Sequence, residues 1–230
     1  MEIEDILCYN LKNIKQKIAK VCEKIRRNPD EIKILPITKS RPISVIKKLK
    51  EFGFTAIGEN RIQELEEKYP FLKEDFSFHL VGKLQKKKIK IACRLISAIH
   101  SLQDIETAKI LDVELSHMHK TVEAFIEVNI SGEKNKEGIP PEDLDNFLEN
   151  ATKLRNLQIT GFMTMPPQTN NHENSRRYFH QLRMLLEKYS RTYNYHFLRE
   201  LSMGTSQDFE IAIEEGATVL RLGEAIFKGI

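Results

Sequence analysis

Between Ile3 and Arg27 the apolar residues Ile6, Leu7, Leu11, Ile14, Ile18, Val21, Cys22 and Ile25 recur at steps of three and four. This spacing predicts a long helix with one apolar stripe, ended by Asn28-Pro29. After the proline the pattern changes. Short apolar runs at 33–38, 54–57, 76–81, 95–100, 122–130, 157–162, 195–201 and 218–222 predict strands. Helical spacings fill the gaps at 43–52, 61–69, 84–92, 104–119, 141–155, 174–189 and 207–215. Ser101 with Asp104, and Pro140-Pro141 ahead of Glu142-Asp143, read as helix starts. Strand, helix and strand repeating about every 20–35 residues is the signature of right-handed βαβ units and a parallel sheet.

Eight such repeats predict an α/β fold that closes into a (β/α)8 barrel of the TIM type with an extra N-terminal helix. An open doubly wound sheet is the other arrangement of the same units. No linker or low-complexity tract interrupts the chain, so residues 1–230 read as one domain, with 1–28 packing on the barrel.

Composition narrows the class. With 30% charged and 40% apolar residues the chain reads as an ordinary soluble protein, and a net charge of +3 is too small to name a polyanionic partner. Cys8, Cys22 and Cys93 are odd in number and widely spaced, which argues against a disulfide framework or a zinc knuckle and for a reducing compartment. Glu2, Glu4 and Asp5 stand where a secretory leader would be basic, and no apolar run approaches the roughly 20 residues that span a bilayer. A cytoplasmic protein without a membrane partner is the expectation.

The candidate chemistry lies at the predicted strand tips. The run Ile34 to Thr38 delivers Lys39 to the end of the first strand, and Arg41-Pro42 closes it. In a parallel barrel that edge is the catalytic rim, although position alone favours a surface lysine that begins a basic turn. The other tips carry Gly58-Glu59-Asn60, His79 with Gly82-Lys83, Asn129 with Ser131-Gly132, Met163-Thr164, Ser202 to Ser206, and Arg221-Leu222-Gly223. Ser202, Gly204, Thr205 and Ser206 are small residues leading into a helix, where exposed backbone N–H groups meet phosphate well. Thr205 and Asp208 also fit a plain capping box. A rim lysine facing a phosphate cradle suggests pyridoxal 5′-phosphate (PLP), whose aldehyde needs an amine and whose phosphate needs donors.

The strings Thr-Lys-Ser-Arg-Pro (38–42), Ile-Gly-Glu-Asn-Arg-Ile-Gln-Glu (57–64), Phe-His-Leu-Val-Gly-Lys-Leu-Gln (78–85), Glu-Val-Asn-Ile-Ser-Gly-Glu (127–133), Gly-Phe-Met-Thr-Met (161–165), Leu-Ser-Met-Gly-Thr-Ser-Gln-Asp-Phe (201–209) and Arg-Leu-Gly-Glu-Ala-Ile-Phe (221–227) run in order through the chain. They resemble the pyridoxal phosphate homeostasis protein family, which is related to the barrel of alanine racemase. The resemblance implies Lys39 as the Schiff-base lysine and Arg221 as the contact to the pyridine nitrogen. It further implies Ser202, Gly204 and Gly223 at the phosphate, with Asn60 and His79 near the cofactor and no metal. It implies a role in holding and delivering PLP inside the cell, with apo PLP-dependent enzymes as recipients, a monomer or weak dimer, and no firmly established turnover. Two positions depart from the family pattern: Lys83 replaces a usual histidine, and Glu224 stands where a small or hydroxylic residue is common.

The enzymatic alternative is a PLP-dependent amino-acid racemase using Lys39. That reaction needs a second acid or base across the cofactor, and alanine racemase draws a tyrosine for it from an additional domain. His79, Lys83 and Tyr195 are the candidates in this chain. A guanidinium at the pyridine nitrogen opposes ring protonation and mutes carbanion chemistry, unless Arg221 instead pairs with a rim carboxylate such as Glu59. Other features carry less. His117 and His119 face different sides of a helix, the lysines at 83, 86–88 and 90 read as a solvated face rather than a nucleic-acid site, and Met163 and Met165 read as packing residues.

Overall fold

The computed structural model describes residues 2–133, 136–192 and 197–230. Strands β1 (Lys33–Pro36), β2 (Ala56–Glu59), β3 (Ser77–Leu80), β4 (Ala98–Leu102), β5 (Val122–Glu127), β6 (Leu157–Met163), β7 (Glu200–Ser202) and β8 (Val219–Leu222) form one parallel sheet in the order β1-β8-β7-β6-β5-β4-β3-β2. The ring closes between β1 and β2 through an Ile37–Gly58 bridge, where Thr38 N donates to Gly58 O at 2.9 Å. Glycine permits that seam, because a Cβ on residue 58 would lie 2.6 Å from Ile37 Cδ1. The expected (β/α)8 barrel is the fold.

Around it lie α1 (Ile3–Ile25), α2 (Ile43–Lys48), α3 (Ile62–Leu72), α4 (Ile89–Leu95), α5 (Ile105–His117), α6 (Leu144–Ala151), α7 (Arg176–Thr192), α8 (Phe209–Glu214) and α9 (Glu224–Phe227). The apolar stripe of α1 is buried against α8 and α9. Asn10 Nδ2 ties it there, donating to the carbonyls of Ile226 and Lys228 at 2.9 Å each.

Several boundaries differ from the sequence expectation. The fourth helix runs to Leu95 after a 3-10 turn at Lys86–Lys88, so β4 starts at Ala98 instead of residue 95. Ser101 belongs to that strand and donates to Gly82 O at 2.6 Å; the cap of α5 is Asp104 alone, accepting from Thr107 N at 2.7 Å. β7 is the short Glu200–Ser202, and the expected start at Tyr195 falls outside the described residues. The four-residue α9 has too few positions to show a period and was not anticipated.

Inside the barrel, Leu35, Ile37, Phe125, Met163 and Val219 form a small apolar cluster separate from the main core under the helices. It divides two cavities. The upper one, about 420 Å³, opens among residues that follow the strands; the lower one, about 430 Å³, opens among residues that begin them, including Lys33, Ala56 and Glu200.

A candidate cofactor site at the upper rim

Lys39 follows β1 on a turn that is held from several sides. Thr38 is fully buried, and its hydroxyl donates to Glu59 Oε1 at 2.6 Å. Lys68, on α3, reaches beneath the turn and donates to Thr38 O at 2.8 Å and Glu59 Oε1 at 2.6 Å. Ser40 takes a left-handed backbone, φ 57°, and its N–H donates to Glu64 Oε2 at 2.9 Å. Such a conformation is uphill for a residue with a Cβ and persists where surroundings impose it. Arg41 donates to Ile230 O at 2.6 Å and lies over the Phe227 ring, joining the turn to the end of the chain. The consequence is an exposed Lys39 on a fixed base.

Lys39, Asn60, Arg221 and Gly223 line the same upper cavity, together with Thr205, Ser206, Asp208 and Glu224. The rest of the wall is a run from Met165 to Thr169, together with His172. Sequence patterns missed that run because it belongs to no periodic element.

Arg221 is 5% exposed and burial lowers its pKa to about 10. Its Nη1 donates to Ser202 O at 2.6 Å and Ser202 Oγ at 2.8 Å. Its Nη2 donates to Thr164 O at 3.0 Å and contacts Met165 Sδ at 2.8 Å. The pairing of Arg221 with Glu59 weighed from sequence does not form; Glu59 is taken by Lys68. Met165 is likewise not simple packing, since it is 46% exposed in the cavity wall. Glu127, buried at the end of β5, is raised to about 7 by burial, while the Arg221 charge pulls it the other way.

Three expected site residues do not line this cavity. His79 lies within β3, paired in register with Gly58 and Ala98, and faces the lower cavity; the residue at the tip is Val81. Ser202 is fully buried inside the barrel between Arg221 and His100. Gly204 has φ +91° and a Cβ there would lie 2.6 Å from that of Ala212, so it serves the close packing of its loop on α8. The loop meets the cavity one residue later, through Thr205 and Ser206. Asp208 Oδ1 accepts from Thr205 N at 2.7 Å and Thr205 Oγ1 at 2.9 Å, which is half of the expected capping box. Ser206 Oγ accepts from Ala225 N at 2.9 Å and ties this loop to the one after β8. Lys83 pairs with Glu137 at 2.8 Å, and the neighbouring Lys86 and Lys88 pair with Glu106 and Glu66.

The profile of the alanine racemase N-terminal domain family matches residues 9–230. The pyridoxal phosphate homeostasis protein of Aquifex aeolicus is 38% identical over 221 residues, covering 96% of each chain. The protein of that name from Haemophilus influenzae is 31% identical over 222 residues, covering 95% of this chain and 94% of its own. Among solved structures, PipY of Synechococcus elongatus with PLP bound aligns with a TM-score of 0.80 at 28% identity, over 91% of this chain and 99% of PipY. An alanine racemase of Clostridium difficile, 14% identical, shares the fold with a TM-score of 0.75 over 96% of this chain and 59% of its own. A barrel with a lysine at the first strand tip and an arginine in the last strand thus meets relatives that span nearly all of it, and the chain belongs to the alanine racemase N-terminal domain family and, within it, to the pyridoxal phosphate homeostasis proteins.

Proposed function

We propose that this chain binds pyridoxal 5′-phosphate in the upper cavity and acts in holding and delivering it within the cytoplasm, residues 1–230 working as one barrel unit. The observation that carries the reading is the placement of the Lys39 amine and the Arg221 guanidinium in one cavity of about 420 Å³, within the usual size of small-molecule sites. The residues present fit the group. Lys39 is the amine for its aldehyde; Thr205, Ser206 and Gly223 line the same cavity with small side chains that leave room for phosphate. Glu224 also lines it, and a carboxylate repels phosphate, so a role for residue 224 is through its backbone. Bound there, the cofactor supplies an aldehyde that condenses with amines and a ring that withdraws electrons.

The chain's own residues set how that chemistry is used. The turn held by Lys68, Glu59 and Glu64 keeps Lys39 at the rim. Arg221 offers a donor and a positive charge, which together oppose protonation of a ring nitrogen beside it. This favours holding over carbanion chemistry. A racemase reading draws on His172, Asp208 and Glu224, the titratable groups that share the cavity with Lys39 and Arg221. It predicts exchange of a substrate Cα proton with solvent, lost in Lys39→Ala.

Borohydride treatment of the protein incubated with PLP, followed by peptide mapping, tests the main reading. A label on the peptide holding Lys39, absent from Lys39→Ala, is the expected result. A protein that stays colourless and unlabelled overturns it. Transfer to an apo PLP-dependent enzyme faster than from free PLP at equal concentration tests delivery.

A further inference from the structure

A line of buried polar groups runs down the barrel axis from the upper cavity to the lower one. Arg221 Nη1 is 2.8 Å from Ser202 Oγ, which is 2.7 Å from His100 Nδ1; His100 Nε2 is 3.0 Å from His79 Nδ1. His100 is fully buried and its ring stacks on Phe125 with centroids 4.2 Å apart and planes 16° apart, which fixes its orientation. His79 is half-buried at the lower cavity.

The direction of these bonds follows from what each group can do. A guanidinium only donates, so Ser202 Oγ accepts from Arg221. Its own proton then needs an acceptor, and among the described residues that acceptor is His100 Nδ1. An imidazole accepting at Nδ1 and kept neutral carries its proton on Nε2, and so donates to His79 Nδ1. The same logic leaves the His79 proton on Nε2. Burial supports neutrality, lowering His79 to about 4 and His100 well below its ordinary range. The reverse direction would make Ser202 Oγ accept twice and strand its proton in the interior.

We propose that His100 is the positioning residue for Arg221. By taking the Ser202 proton it holds the serine oxygen as an acceptor for Nη1. With Ser202 O, Thr164 O and Met165 Sδ occupying the remaining terminal N–H groups, the donor left to a cavity ligand is Nε–H. His100 touches no ligand of the upper cavity and acts only through Ser202. The part of this inference that concerns cofactor affinity rests on the proposed binding of PLP; the part that concerns bond direction does not.

Two measurements test it. Imidazole 15N spectra of the protein without added PLP are expected to show both His79 and His100 neutral and protonated at Nε2; an Nδ1–H tautomer at His100 overturns the chain. His100→Phe keeps a flat ring but removes the acceptor, whereas in His100→Gln the amide can accept from Ser202 and donate to His79. PLP affinity, read by absorbance titration, is expected to fall about tenfold in His100→Phe and to stay within about threefold of wild type in His100→Gln. Lys39 is still expected to trap cofactor at saturation in both. Equal affinities in the two variants overturn the positioning role. If wild-type Lys39 traps no PLP, the cofactor reading fails, while the 15N spectra of the unloaded protein still decide the direction of the chain. They do so as well if His100→Phe does not fold.

Discussion

At the scale of single residues, the clearest dependence is on the buried ion pair beneath Lys39. Glu59 is fully buried, and burial pushes its carboxyl up against the opposing pull of the Lys68 and Thr38 hydrogen bonds. Lys68→Met removes the ammonium and leaves that carboxylate without its charge partner, which costs about 3–5 kcal/mol in urea unfolding. Pairing the change with Glu59→Met is expected to recover much of the loss, since an apolar pair leaves no unpaired charge. Lys39 trapping is expected to fall in the single variant, because Thr38 O loses its donor. Titration at two other groups inside the barrel gives opposite slopes. His79 is lowered by burial to about 4, while the unfolded chain takes a proton near 6.5. The unfolded state therefore binds the extra proton in that window, and stability falls as pH drops from about 6.5 to about 4. Glu127 is raised by burial to about 7. Here the folded state holds the extra proton, so stability falls as pH rises from about 4.5 to about 7. Glu127→Gln is expected to gain on wild type by at most about 3 kcal/mol between pH 5 and pH 8, measured by urea unfolding; a constant difference would remove Glu127 from the pH dependence.

Among elements, α1 and α9 support each other and, through them, the loop that carries Gly223. Asn10→Ala deletes both side-chain bonds to the carbonyls of Ile226 and Lys228. The expected loss is about 2 kcal/mol in thermal unfolding, together with faster amide exchange in 223–230. The loop after β7 has a stricter requirement at Gly204, whose φ of +91° and closeness to Ala212 leave no room for a side chain. Gly204→Ala is expected to lower stability by about 1–3 kcal/mol and to weaken PLP binding by displacing Thr205 and Ser206. Unchanged affinity would separate that loop from the binding site. Helices α2, α3 and α5 were legible from their spacing, although α3 continues through Pro70 to Leu72, past the expected end at residue 69. The α4–β4 boundary was not: Ala98 and Ile99 are buried on a strand just as Ile89, Ala92 and Cys93 are buried on a helix, and an apolar run buried on all sides has no period to read.

For the whole molecule, the barrel is sealed unevenly. β5 and β6 share a six-pair register, whereas β1 and β2 meet in the Ile37–Gly58 bridge. Hydrogen exchange is expected to release the Thr38 amide before those of β5 and β6, placing a weak seam beside the lysine turn. Equal protection would show that closure is uniform. The alternation of short apolar runs with helical spacings was enough to determine the eight βα units and the strand tip that carries Lys39, because each depends on local periodicity; closure of those units into a barrel instead of an open sheet rests on the contact of β1 with β2. Arg221 and Gly223 were found in the same way, as residues of the last tip. The sequence could not show that Ser202 turns inward, that His79 opens to the lower cavity, or that His100 joins them. Those outcomes depend on which face of a closed barrel each strand residue takes, and that is decided by register across strands far apart in the chain. Nor could it show that Lys68, nine positions after Glu59, lies beneath Lys39, since only the packing of α3 against the rim brings its ammonium to the Thr38 carbonyl.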